Sequence, residues 1–129
     1  MTSIKDAFTA ADGSRKKAFV PFITCRDPLL DVTEEALLAM QRAGADLIEL
    51  GIPFSDPTAE GPVIQEANIR ALSGGVTTDS IFAMVERVRG RGLTVPLVFM
   101  TYANVVFGYG TKRFAANAAK AGVQGVILP

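Results

Sequence analysis

Apolar and polar positions alternate between two rhythms along this chain. Four short, nearly continuous apolar runs occur at residues 18–24, 47–52, 95–102 and 123–128, each bounded by polar or glycine-rich residues. Runs of that length suit strands buried on both faces. Between them, apolar residues recur at helical spacing. The spacing predicts a short helix over residues 3–11, with Ser3 as cap, Ile4, Ala7, Phe8 and Ala11 on one face, and Asp12-Gly13 as its end. A second helix is expected from about 30 to 43, striped by Val32, Leu37, Leu38 and Met40 and capped by Asp31 or Thr33. A third starts on Pro62 and runs to Leu72, with Ile64, Ala67 and Leu72 near one face. The fourth, over 77–89, carries Ile81, Phe82, Val85 and Val88, and the fifth covers about 111–120. Residues 103–110 read as a loop, and Pro21 inside the first run is expected at a sheet irregularity, because proline cannot donate to a ladder.

Strands alternating with helices make βαβ units, hence a parallel sheet with right-handed crossovers. Two architectures fit: a doubly wound sheet, or part of a (β/α)8 barrel. No strand is followed by G-x-G-x-x-G and no Walker A motif occurs, so dinucleotide and P-loop readings lose support. A complete barrel takes about 250 residues, and 129 residues supply about half of one.

Composition narrows the function. The chain is 49% hydrophobic and 20% charged, with 13 basic and 13 acidic residues, so no basic face points to nucleic acid or an anionic membrane. The basic groups Arg15-Lys16-Lys17 and Arg87, Arg89 and Arg91 read as solvated helix ends or loops. One cysteine, Cys25, excludes an intrachain disulfide, and the absence of histidine removes Ser-His-Asp and Cys-His catalysis and His-ligated zinc. No metal site is expected. The N-terminus lacks a signal-peptide pattern and no run reaches the roughly 18 apolar residues of a membrane span, so a soluble cytoplasmic protein is expected.

Chemistry concentrates in residues 47–62. Glu49 lies in an apolar strand, flanked by Leu47, Ile48, Leu50 and Ile52, where an unpaired charge is costly. An acid in apolar surroundings suits proton transfer near neutral pH, the alternative being an ion pair. Glu60 sits in the following loop, where it reads either as a second reacting carboxylate or as an acid at a helix start. Asp56, before a proline, reads as a turn residue. Reactive groups of both architectures gather at the C-terminal ends of strands. Phe22, Met100 and Tyr102 fall there and read as pocket wall or plain core, with Tyr102 able to donate a hydrogen bond. Cys25 has no cationic partner in view and is expected to be unreactive.

Three segments carry a resemblance: P-F-I-T at 21–24, G-A-D-L-I-E-L-G-I-P-F-S-D-P at 44–57, and G-P-V-I-Q at 61–65, supported by 71–77 and M-T-Y-A-N at 100–104. Together they resemble the α subunit of tryptophan synthase, in order and over almost the whole chain. The resemblance implies the N-terminal half of a (β/α)8 TIM barrel, strands 1 to 4 over residues 1–129, with an extra N-terminal helix. It implies cleavage of indole-3-glycerol phosphate by a retro-aldol reaction into indole and glyceraldehyde 3-phosphate, without a cofactor. Glu49 is then the acid–base residue, and Glu60 matches the acid that polarises the indole N–H. Phe22, Met100 and Tyr102 line the indole pocket. Pro53, Phe54, Asp56, Pro57 and Asn104 meet a β subunit, which carries pyridoxal phosphate.

The chain departs from the family pattern D-P-L-A-D-G-P at two positions, with Thr58 for leucine and Glu60 for aspartate. The second moves a carboxylate by one methylene, and a shift of about 1 Å can cost about 10²-fold in rate. The family's phosphate site lies in loops of later strands. The 129 residues alone are therefore expected to be inactive and to pair with a missing half or with themselves. The alternatives are a non-catalytic half-barrel, or a divergent homologue that only associates with a partner.

Overall fold

Four parallel strands stand side by side in chain order, β1 Phe22–Thr24, β2 Ile48–Gly51, β3 Leu97–Met100 and β4 Gly125–Ile127, in a computed structural model that describes residues 1–129. A doubly wound sheet reverses its strand order at a switch point. This sheet does not, and the sequential order β1-β2-β3-β4 is that of a (β/α) barrel wall.

Register separates the two faces. Ile23, Leu50, Phe99 and Val126 share one row and point to the helices. There α2 Leu30–Arg42, α4 Thr78–Gly90 and α6 Thr111–Ala121 pack in succession. Leu37, Ile48, Leu50, Met84, Val88, Leu97, Phe99 and Phe114 form the core between the layers, all at most 2% exposed. The opposite face carries no long helix. Its rows are Phe22, Glu49, Val98 and Gly125, then Thr24, Gly51, Met100 and Ile127. Only the short α1, Ile4–Ala7, covers its N-terminal end, where Ile4 and Ala7 pack on Leu47, Val98 and Val20.

Several expectations are corrected. α1 stops at Ala7, because the Asp12 carboxylate takes the Ser14 N–H and hydroxyl (2.9 and 2.6 Å) and a Thr9–Arg15 antiparallel bridge folds the chain back. Strand β1 starts after Pro21, whose carbonyl still accepts the Glu49 N–H at 2.9 Å. Neither Asp31 nor Thr33 caps α2; Leu29 holds that position, and the Thr33 hydroxyl accepts the Arg26 N–H at 2.9 Å instead. Residues 103–109 are not loop but helix α5, Ala103–Tyr109, with Val106 buried in the core. The basic groups are solvated as expected, apart from half-buried Arg89, but four of them have partners. Arg87 and Arg91 pair with Glu34, Arg89 donates to the carbonyls of Leu93, Val95 and Gly122, and Lys16 pairs with Asp46 at 2.6 Å.

Candidate active site

Strand β2 places Glu49 on the face opposite the long helices, directly across from Phe22 on one side and Val98 on the other. Strand alternation dictates this, since Ile48 and Leu50 on either side are buried under the helices. The Glu49 side chain is half-buried and takes part in no hydrogen bond or ion pair with residues 1–129. Gly51 follows on the same face. A Cβ there would stand 2.7 Å from Phe22 Cζ, so only glycine lets the Phe22 ring lie along this part of the sheet. Met100, half-buried, continues the row beyond Gly51. Thr24 shares that row, 4% exposed, its hydroxyl buried without a partner.

The loop after β2 rises from this face and is tied down at its far end. The Ala59 N–H donates to the Tyr102 hydroxyl at 3.3 Å, and the Phe54 ring packs on Tyr102 with centroids 5.3 Å apart. Tyr102 is thus an acceptor here, and its own O–H remains free to donate. Gly61 precedes α3, Pro62–Ser73, with no capping side chain, and proline at the first turn removes a donor that the helix would leave unpaired. Glu60 does not serve as the acid of that helix start. Its carboxylate reaches two turns along α3, where Asn68 Nδ2 donates to Oε2 at 2.8 Å. Its carbonyl accepts from Gln65 Nε2, also at 2.8 Å.

Helix α3 is itself fastened to the end of β1. Arg70 donates to both oxygens of Asp27 at 2.8 Å, which holds that carboxyl below the usual aspartate range. Arg26, in the left-handed region at φ 61, lays its guanidinium against Gly74 and the Ala71 carbonyl. Cys25 beside it faces the helix layer, and burial pushes its thiol up to about 12, the opposite of activation.

Glu49, Phe22 and Met100 therefore share one face of the sheet, and Glu60 and Tyr102 are joined by the loop that follows β2. Of the other residues singled out, Pro53 is buried, Phe54 and Pro57 are half-buried, and Asp56 and Asn104 are exposed. Asp56 accepts the Ser55 hydroxyl at 2.8 Å. Sequence reasoning missed Asn68. Asn68 had a readable signal: it interrupts the apolar stripe of α3 between Ile64 and Leu72, as Glu49 interrupts its strand. The two hollows in the surface lie away from these residues and carry no such constellation. One, of about 230 Å3, lies between Thr2, Asp6, Lys16 and Asp46, and another, of about 180 Å3, lies on α4 and α6 around Asp79 and Asn117. No group of three or more His, Cys, Asp or Glu side chains is placed to hold a metal ion, and no helix is long and apolar enough to cross a membrane.

Residues 8–129 match the family model of the tryptophan synthase alpha chain. The tryptophan synthase alpha chain of Picosynechococcus sp. is 48% identical over 129 residues, all of this chain and 48% of that one. A crystal structure of tryptophan synthase subunit alpha from Legionella pneumophila superposes with a TM-score of 0.84 at 43% identity, over 88% of this chain and 43% of that one. A chain of the tryptophan synthase a2b2 complex of Pyrococcus furiosus superposes with a TM-score of 0.81 at 40% identity, over 86% of this chain and 44% of that one. The chain spans about half the length of the relatives it matches.

Proposed function

The chain belongs to the tryptophan synthase alpha chain family, and from that premise we propose that it supplies the acid–base wall of a (β/α)8 barrel that cleaves indole-3-glycerol phosphate in tryptophan biosynthesis. The observation that carries the proposal is the placement of Glu49. It is the one acid in the four strands, and it stands half-buried and unpartnered beside Phe22 on the face opposite the long helices. An acid kept free of ion pairs within apolar walls is available for proton transfer.

In the proposed reaction the bond between the indole ring carbon and the glycerol chain breaks. Glu49 delivers a proton to that ring carbon and takes up the proton of the neighbouring glycerol hydroxyl, whose oxygen becomes the aldehyde oxygen. Indole and glyceraldehyde 3-phosphate leave, and the proton Glu49 gave up is replaced by the one it took. Glu60 accepts a hydrogen bond from the indole N–H as ring charge changes. Phe22, Met100 and Tyr102 flank the flat ring. No cofactor enters this step.

Residues 1–129 are, in this reading, the N-terminal half of the barrel in a cytoplasmic enzyme, and the phosphate is held by the half that completes it. The second partner is a β subunit that carries pyridoxal phosphate, a proposal supported by the a2b2 assembly of the Pyrococcus furiosus relative. Exposed Asp56 and Asn104, with Pro53, Phe54 and Pro57 behind them, form its contact surface. The 129 residues alone give no turnover, because two carboxylates without a phosphate clamp lose the binding energy that orients the substrate.

Indole release from indole-3-glycerol phosphate tests this, with the chain mixed with a C-terminal half-barrel taken from a relative and with a β subunit. The mixture is expected to release indole and the chain alone none. Glu49→Gln in the mixture lowers kcat by at least about 10²-fold, the usual worth of a general acid–base. A mixture that assembles but makes no indole leaves the non-catalytic half-barrel as the surviving reading. Restoration of rate by Glu60→Asp in such a mixture identifies instead a homologue that lost activity at position 60.

A further inference from the structure

We propose that Asn68 is a positioning residue for Glu60, fixing one carboxylate oxygen so that the other is presented to the ligand. The inference rests on the catalytic reading of Glu60 above and extends it to a residue outside the reacting pair.

Asn68 is 4% exposed in the middle of α3, a place where a primary amide is costly unless it is hydrogen-bonded. Its Nδ2 spends a donor on Glu60 Oε2 at 2.8 Å. Oε1 receives no hydrogen bond from the chain and keeps its lone pairs for an N–H donor from outside. Gln65, also on α3, holds the Glu60 carbonyl at 2.8 Å, so two amides of one helix fix the backbone and the side chain of the same residue.

The donor stands on a rigid base. Arg70 clamps α3 to Asp27 through two hydrogen bonds of 2.8 Å, and the Arg26 guanidinium fills the space beside Gly74, where a Cβ would stand 1.3 Å from Nη1. On the other side, the loop is fixed by the Ala59 N–H on the Tyr102 hydroxyl at 3.3 Å. With both supports fixed, the side chain of Glu60 is the free element, and Asn68 determines where it stops. This also accounts for the extra methylene at position 60: the longer acid is drawn back toward α3 instead of reaching further out. A group held before binding loses less freedom on binding, and that gain appears in the transition state more than in ground-state affinity.

Two measurements decide the proposal. In the 129-residue chain labelled with 15N, the Asn68 side-chain amide is expected downfield of the other asparagine amides, and Glu60→Ala moves it to the common position. An Asn68 amide that ignores Glu60→Ala overturns the pair. In the mixture with the C-terminal half-barrel and β subunit, Asn68→Ala lowers kcat about 10- to 100-fold at nearly unchanged KM. Asn68→Gln, which keeps the donor, loses less. In a Glu60→Ala background Asn68→Ala adds no further loss; an equal loss in both backgrounds shows that Asn68 acts only through folding and overturns the proposal. If the unaltered mixture makes no indole, the catalytic reading falls, while the amide shift still decides whether Asn68 holds Glu60.

Discussion

Glu49 and Glu60 lie on one short stretch of chain and are held in opposite ways. Glu60 spends one oxygen on Asn68, whereas Glu49 has no partner in the chain. A half-buried acid without a partner gives up part of its hydration and gains no ion pair or hydrogen bond in return. Glu49→Leu, which puts apolar surface in place of a carboxylate beside Phe22, is therefore expected to raise stability by about 0.5–1 kcal/mol. Urea denaturation followed by circular dichroism checks it, and a loss of stability would mean that Glu49 supports the fold. Cys25 is the opposite kind of residue, fully buried with its thiol pushed up to about 12. Iodoacetamide at pH 8 is expected to leave the native chain unlabelled and to label the urea-unfolded chain, read by mass spectrometry. The sign of its pH effect follows. The folded chain keeps the thiol protonated while the unfolded chain ionises it above about 8.5. Stability tied to Cys25 is complete below that pH and is lost as pH rises from there toward about 12. Cys25→Ala is expected to show a shallower alkaline decline in melting temperature than the unaltered chain.

The seam between α2 and α4 shows how elements are fixed to one another. Glu34 is 6% exposed and receives Arg87 at 2.7 Å and Arg91 at 3.2 Å, while both arginines stay largely in solvent. The two sides of this pairing are unequal. Removing both cations leaves a buried carboxylate uncompensated, a loss of about 3–5 kcal/mol. Removing the carboxylate frees two arginines that water already reaches. Arg87→Ala with Arg91→Ala is therefore expected to lower the urea midpoint far more than Glu34→Gln, which costs about 1 kcal/mol; equal losses would show that the seam is held by charge number alone. None of this was legible in the sequence, where Arg87, Arg89 and Arg91 read as a solvated group, because their partners lie some fifty residues away or are backbone carbonyls. What was legible came from periodicity: all four strands, the helices α2, α3, α4 and α6, and the odd placement of Glu49 within β2, whereas Glu60 stood out only through the family resemblance. The failures have local causes. α5 holds two β-branched valines and a glycine and has no side-chain cap, so propensity argued for a loop, and burial of Val106 overrode it. Asn68 carries no charge to mark it, although a polar residue within an apolar stripe raises the same question that Glu49 does.

At the scale of the whole molecule, the sheet has one finished face and one unfinished one. Helices cover the outer face under β1 to β3, but Val126 on β4, in the row with buried Leu50 and Phe99, is 41% exposed. Ile127 on the other face is 40% exposed and Leu128 next to it 48%. Strands β1 and β4 each pair on one side only. An unpaired edge beside exposed apolar side chains is a template for another chain. By itself the chain is expected to associate. In sedimentation, its weight-average mass should rise above the monomer's 13.7 kDa as concentration increases, reaching oligomers at about 100 µM, within the range where such edges bring chains together. Val126→Lys sets a charge in the row that would have to be buried and shifts the population back to monomer. Supplying the C-terminal half-barrel should do the same by a different route: it competes for both edges, removes the self-associated species and gives one complex of defined mass. A chain that stays monomeric at that concentration, with or without the charge at 126, would show that edge and face are protected in solution, and with it that no second half is needed to complete the sheet.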